Sequence, residues 1–104
     1  MLLQYPELNA MVLVAGGVYG ACRAIRDVCA NTGRKITVIS FDDVPATRNM
    51  VRNGTIAATI CQQPQRQGSM ALSVLFDYLI EGKAPESRRL YTDIQIKVAA
   101  NIDT

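Results

Sequence analysis

The sequence predicts an α/β fold, a parallel sheet with flanking helices, and three observations carry that prediction. Residues 9–15 (NAMVLVA) form a continuous apolar run, the pattern of a parallel strand buried on both faces. The run ends in Gly16-Gly17 and passes into a stretch whose apolar residues recur at three- and four-residue spacing, so a strand leads directly into a helix. The same alternation then continues through residues 35–41, 45–53 and 55–60, giving strand, short helix and strand.

Each element has its own local signals. On the first helix Val18, Ala21, Cys22, Ile25, Val28 and Cys29 make one apolar stripe, while Arg23, Arg26, Asp27 and Ala30 fall on the other side, and Gly33 ends it near Thr32. Residues 35–41 form the next strand, joined to the first by a right-handed crossover. Pro45 suits a first helical turn, because its φ is already set and its missing N–H has no partner there anyway. Asn53-Gly54 stops that short helix, and residues 55–60 follow as a strand. A helix over residues 64–80 is apolar almost all round, its one polar stripe being Ser73, Asp77 and Glu81, so it calls for cover on most of its circumference. After a turn-rich connector at 82–89, residues 90–99 alternate, with Ile94, Ile96 and Val98 opposite Asp93, Gln95 and Lys97, as in a half-exposed edge strand.

Composition narrows the function. At 104 residues the chain is one small domain at most. Apolar residues make up 49% and the net charge is +2, which excludes a disordered polyelectrolyte, and the scattered Arg and Lys form no stripe for nucleic acid. No apolar run approaches a membrane span, so no membrane partner is expected. Three cysteines without CxxC spacing, and no histidine, argue against a zinc site and a disulfide framework. The thiols read as small hydrophobes in a reducing compartment, which leads us to expect a cytoplasmic protein. No metal and no cofactor are expected.

The chemistry concentrates at strand ends. Asp42 and Asp43 follow one strand and Gln62 follows another, and in open α/β sheets ligands are read beyond the carboxyl ends of the strands. A carboxylate can accept from two adjacent hydroxyls and an amide can both donate and accept, which is what the vicinal diols of a sugar require. The plainer alternative is that carboxylates before a helix serve its N-terminus, and Asp43 is assigned that capping role. Gly16-Gly17-Val18-Tyr19-Gly20 opens a helix but lacks both the G-x-G-x-x-G order and the Walker lysine, so it reads as a tight turn. Tyr19 there either stacks on a ligand or fills the rim. No histidine, nucleophile elbow or activated cysteine supports catalysis, and the protein is read as a non-enzyme.

The joint spacing of Phe41-Asp42-Asp43-Val44-Pro45, then Gly54-Thr55-Ile56-Ala57-Ala58-Thr59-Ile60-Cys61-Gln62-Gln63-Pro64, then Gly68, resembles the C-terminal part of the lac-repressor and ribose-binding-protein superfamily. The resemblance covers nearly the whole chain and implies part of a type I periplasmic-binding-protein-like fold. It implies that Asp42 and Gln62 hydrogen-bond a sugar-like ligand, and Gly16 and Tyr19 join them as candidate ligand-binding residues from their place at the first strand-to-helix turn. Where the family usually carries Asn at an earlier strand end, this chain has Ala15-Gly16-Gly17.

It also implies an organisation. Residues 1–61 would be most of the C-terminal lobe, 62–90 an interlobe crossing with a helix of the other lobe, and 91–104 a returning edge strand and C-terminus. Leu2 and Leu3 would be the tail of a cut helix, with the remainder of a larger protein upstream. The implied function is the effector-sensing part of a lac-repressor-type regulator, acting as a homodimer or homo-oligomer and meeting DNA only through an N-terminal domain absent here. The alternatives are a periplasmic sugar-binding protein of a transporter and, from another class, a nucleotide-binding Rossmann-like enzyme.

Overall fold

The computed structural model describes residues 1–104. Its elements are β1 (Ala10–Leu13), α1 (Val18–Thr32), β2 (Thr37–Phe41), α2 (Pro45–Arg52), β3 (Ala58–Cys61), α3 (Pro64–Glu81) and β4 (Gln95–Lys97). The strands form one sheet in the order β1-β2-β3-β4. β1 and β2 are parallel with Val12 opposite Ile39, and β2 and β3 are parallel with Ser40 opposite Thr59. The chain divides into two compact units, one of Met1–Cys61 with Ile96–Thr104 and the other of Gln62–Gln95.

The helix boundaries follow local chemistry. Gly17 precedes α1 with φ of 82°, a left-handed conformation that explains glycine at this turn. Pro45 occupies the start of α2, and Gly54 takes φ of 84° just beyond its end.

The core of the first unit lies on one face of the sheet. Cys22 and Ile25 of α1, Val38 of β2, and Met50 and Val51 of α2 meet there with Ile56, and Met11 and Leu13 of β1 pack against them. The opposite face is open: Val12 is 57% and Val14 73% exposed, and Ile39, Phe41 and Ile60 are only partly buried. The expected burial of residues 9–15 on both faces is therefore corrected, because the alternate side chains of β1 point away from α1 and α2.

Three further expectations change. β3 begins at Ala58 rather than at residue 55, because the N–H of Thr55 bonds Asn53 Oδ1 at 3.0 Å and the N–H of Ile56 bonds the Met50 carbonyl at 3.0 Å. These local bonds turn the chain before it can pair. β4 is only three residues long: the Val98 N–H bonds Asn101 Oδ1 at 2.7 Å and closes the chain into a turn. Ile94 and Ile96 are 71% and 64% exposed, while Lys97 turns inward and its Nζ donates to Asp43 Oδ2 at 3.3 Å. Finally, residues 1–8 form turns rather than a helical tail, held by Arg34, whose guanidinium donates to the carbonyls of Leu2 (2.8 Å), Tyr5 (3.0 Å) and Leu8 (2.9 Å).

The last turn of the chain completes the core. Ile102 is fully buried, its carbonyl accepts from Arg48 at 3.0 Å, and Asp103 pairs with Arg52. In the second unit no residue of α3 is buried, although nearly its whole circumference is apolar.

Candidate functional site

β1, β2 and β3 run parallel, so their carboxyl ends lie at one edge of the sheet. Gly16 follows β1 and Asp42 follows β2 at that edge, and Gln62 comes directly after β3, as the first residue of the second unit. The geometry of Asp42 is the most distinctive feature of the edge. Its φ is 70°, and Asp42 and Gln63 are the two non-glycine residues with positive φ. Such a backbone costs on the order of 1–3 kcal/mol and persists only where the surroundings hold it; Asp is among the residues that tolerate it best.

Two neighbours hold it. The Asp42 N–H donates to the Ile60 carbonyl at 2.8 Å, and the Asp42 carbonyl accepts from the Thr59 hydroxyl. Thr59 Oγ1 in turn accepts from Ser40 Oγ at 2.9 Å. Ser40 and Thr59 are fully buried register partners on the core face, so each hydroxyl needs a partner inside the protein and finds one. The Asp42 carboxylate is exposed and takes part in neither of the two ion pairs, Arg52–Asp103 and Lys97–Asp43. Sequence reasoning missed Ser40 and Thr59. Their signal was a hydroxyl in the middle of each apolar strand, just before the residues singled out at the tips.

Asp43 does not cap α2. The N-cap is Val44, without a side-chain cap bond, and Asp43 faces Lys97 instead. Behind this pair lies Cys61, whose thiol burial pushes above its ordinary pKa, with the negative charge of Asp43 adding to the shift.

Around Gln62 the second unit is laced by hydrogen bonds. The Gln62 carbonyl accepts from Gln67 Nε2 at 2.8 Å and from Thr92 Oγ1 at 3.0 Å, and the Asp93 N–H donates to Gln63 Oε1 at 3.2 Å. The backbone of Gln62 is thus fixed, and its exposed side-chain amide takes no partner from the chain.

The other two candidates sit differently. Gly16 has open space where a Cβ would be, so a side chain there would meet nothing. Tyr19 is 61% exposed on the first turn of α1 and lines a surface groove with Arg23, Arg26, Asp27 and Met50. Its ring belongs to the α1–α2 surface. No group of three or more His, Cys, Asp or Glu side chains is arranged to hold a metal, and no helix is long and apolar enough to cross a membrane.

A parallel sheet with polar residues placed directly after its strands is an open α/β architecture, the class in which ligands are bound beyond the carboxyl ends of the strands. The chain belongs to the periplasmic binding protein domain family, whose pattern it matches over residues 1–84. It is 35% identical over 69 residues to the ribose import binding protein RbsB of Haemophilus influenzae, spanning 66% of this chain and 22% of that one. Among solved structures it is similar to the XylFII–LytSN complex, with a TM-score of 0.71 at 30% identity over 89% of this chain and 31% of that one. A Bacteroides fragilis protein assigned as a LacI transcriptional regulator shares the fold, with a TM-score of 0.84 at 22% identity over 98% of this chain and 34% of that one. An ABC transporter solute binding protein from Agrobacterium vitis, solved with bound D-fucose, shares it equally well, with a TM-score of 0.84 at 24% identity over 98% of this chain and 34% of that one. The chain therefore spans about a fifth of the curated relative and about a third of these structures.

Proposed function

We propose that this chain is the sugar-sensing part of a lac-repressor-type transcriptional regulator, in which Asp42 and Gln62 hydrogen-bond the hydroxyls of a monosaccharide. The observation that carries the reading is Asp42 itself: a carboxylate exposed and unpaired, on a backbone pinned in a left-handed conformation at the end of a parallel strand. A carboxylate so held accepts from two adjacent hydroxyls, and the unpaired amide of Gln62 both donates and accepts. Relatives that bind sugars by name support the ligand class. The regulator would respond by shifting the population of two states that differ in sugar affinity, without catalysis.

A second reading, a sugar-binding protein of a transporter, is favoured by the likeness to the ribose import protein. The three free thiols favour the regulator, because disulfide-free cysteines suit a reducing cytoplasm. Fractionation of source cells with an antibody to the chain separates the two: the regulator is found with the cytoplasm, the transport protein outside it.

The sugar assignment is tested by NMR titration of the chain with D-ribose, D-arabinose, D-fucose and D-glucose, which detects weak binding. The amides of Asp42 and Gln62 should shift with at least one of the four. Shifts confined to other residues, or none at all, would count against it.

A further inference from the structure

We propose that Thr59, itself held by Ser40, is a positioning residue that keeps the backbone of Asp42 left-handed and so aims its carboxylate at the ligand. The inference rests on the reading of Asp42 as a ligand contact. It adds two residues that touch no ligand: both are fully buried on the core face of the sheet.

The bonding is directional. Ser40 Oγ donates to Thr59 Oγ1 at 2.9 Å, which commits the Thr59 proton to its own donation, and the acceptor is the Asp42 carbonyl. With φ at 70°, that carbonyl turns back toward β3, where Thr59 waits, while the N–H on the other side of the residue bonds Ile60 at 2.8 Å. Residues 59 and 60 of one strand thus grip the carbonyl and the N–H of a single residue beyond the neighbouring strand. An Asp in ordinary extended backbone would carry its side chain in another direction. Without the Thr59 hydroxyl, the left-handed state loses one of its two holds, and the fraction of molecules with the carboxylate correctly aimed falls. Apparent affinity falls by that same fraction.

Shape and hydroxyl can be separated at this position. Thr59→Val keeps the shape and removes the donor; Thr59→Ser keeps the donor and removes a methyl group. Ser40→Ala with Thr59→Val removes both hydroxyls and so leaves no buried donor without an acceptor. Affinity for D-ribose, D-arabinose, D-fucose and D-glucose is measured by NMR titration on the full chain, with melting temperature recorded for each variant. Affinity should fall about tenfold in Thr59→Val and in the double variant, and stay near the parent value in Thr59→Ser even where that variant melts earlier. Affinity that tracks melting temperature instead of the hydroxyl would overturn the proposal.

A second measurement does not depend on any sugar. A crystal structure of the double variant, or of Thr59→Val should the double variant fail to fold, should find Asp42 out of the left-handed region. An unchanged Asp42 backbone overturns the positioning role, whatever the titration gives. If the parent chain binds none of the four sugars but the backbone relaxes as described, the positioning role stands and the proposed ligand class falls.

Discussion

Arg48 of α2 donates a hydrogen bond to the carbonyl of Ile102 at 3.0 Å, tying the last turn of the chain to the helix that follows the Asp42 strand. The side chain of Ile102 is fully buried among Cys22, Val38 and Val51. Removing it leaves a cavity that the surrounding helices and sheet can only partly fill. Ile102→Ala should destabilise the chain by about 2–5 kcal/mol in urea unfolding. A loss below about 0.5 kcal/mol, the range of surface substitutions, would mean that the C-terminal turn is not part of the core.

Arg34 gathers three carbonyls of residues 1–8 with one guanidinium. Each bond is charge-assisted, and few others hold this segment. Arg34→Ala should free it, seen as faster amide exchange across residues 1–8 while the exchange of β2 stays as before. Equal exchange in the two proteins would contradict the clamp.

Neither of these roles was legible in the sequence alone. The strand–helix alternation, the glycine before α1 and the proline opening α2 were readable because each depends on its own few neighbours. Ile102 was not, since one apolar residue in a short polar tail has no period to reveal it. The alternation of residues 90–99 distinguished two faces but could not say which turns inward; that is decided by Asp43, distant in sequence, which draws Lys97 toward it. Ser40 and Thr59 become a pair only once the register of β2 on β3 is known. The placement of Asp42 and Gln62 directly after β2 and β3 was legible because those strands end where the chain turns polar, whereas the left-handed backbone of Asp42 was not, since Asp tolerates that conformation without requiring it.

The three thiols should differ in reactivity. Cys22 and Cys61 are buried and burial raises the pKa of both, whereas Cys29 is half-buried. Thiolate is the reactive form, so at neutral pH a water-soluble maleimide should label Cys29 first. As pH rises through the ordinary thiol range, labelling of Cys22 and Cys61 should still lag, because a raised pKa keeps them protonated for longer. Early labelling of Cys22 would contradict its place in the core.

Helix α3 leaves Leu72, Leu75, Phe76, Tyr78, Leu79 and Ile80 each more than half exposed. Together they present roughly 700 Å² of apolar surface, close to the ~800 Å² per partner of a stable interface. At ~25 cal/mol per Å², covering even half of it contributes several kcal/mol. The chain should therefore associate with a second copy, its sedimentation coefficient rising with concentration, and Leu72→Lys with Leu79→Lys should abolish the rise. A parent chain that sediments as a monomer at every concentration would contradict this.

The claim that a sugar is read by Asp42 is met most directly by comparing Asp42→Ala with the parent chain in an NMR titration with D-ribose, D-arabinose, D-fucose and D-glucose. Loss of a hydrogen bond between a charged carboxylate and a ligand hydroxyl is worth about 1.5–3 kcal/mol, so affinity should fall roughly tenfold to a hundredfold for the sugar that binds. Gln62→Ala should weaken it in the same direction. Unchanged affinity in both variants would contradict the account.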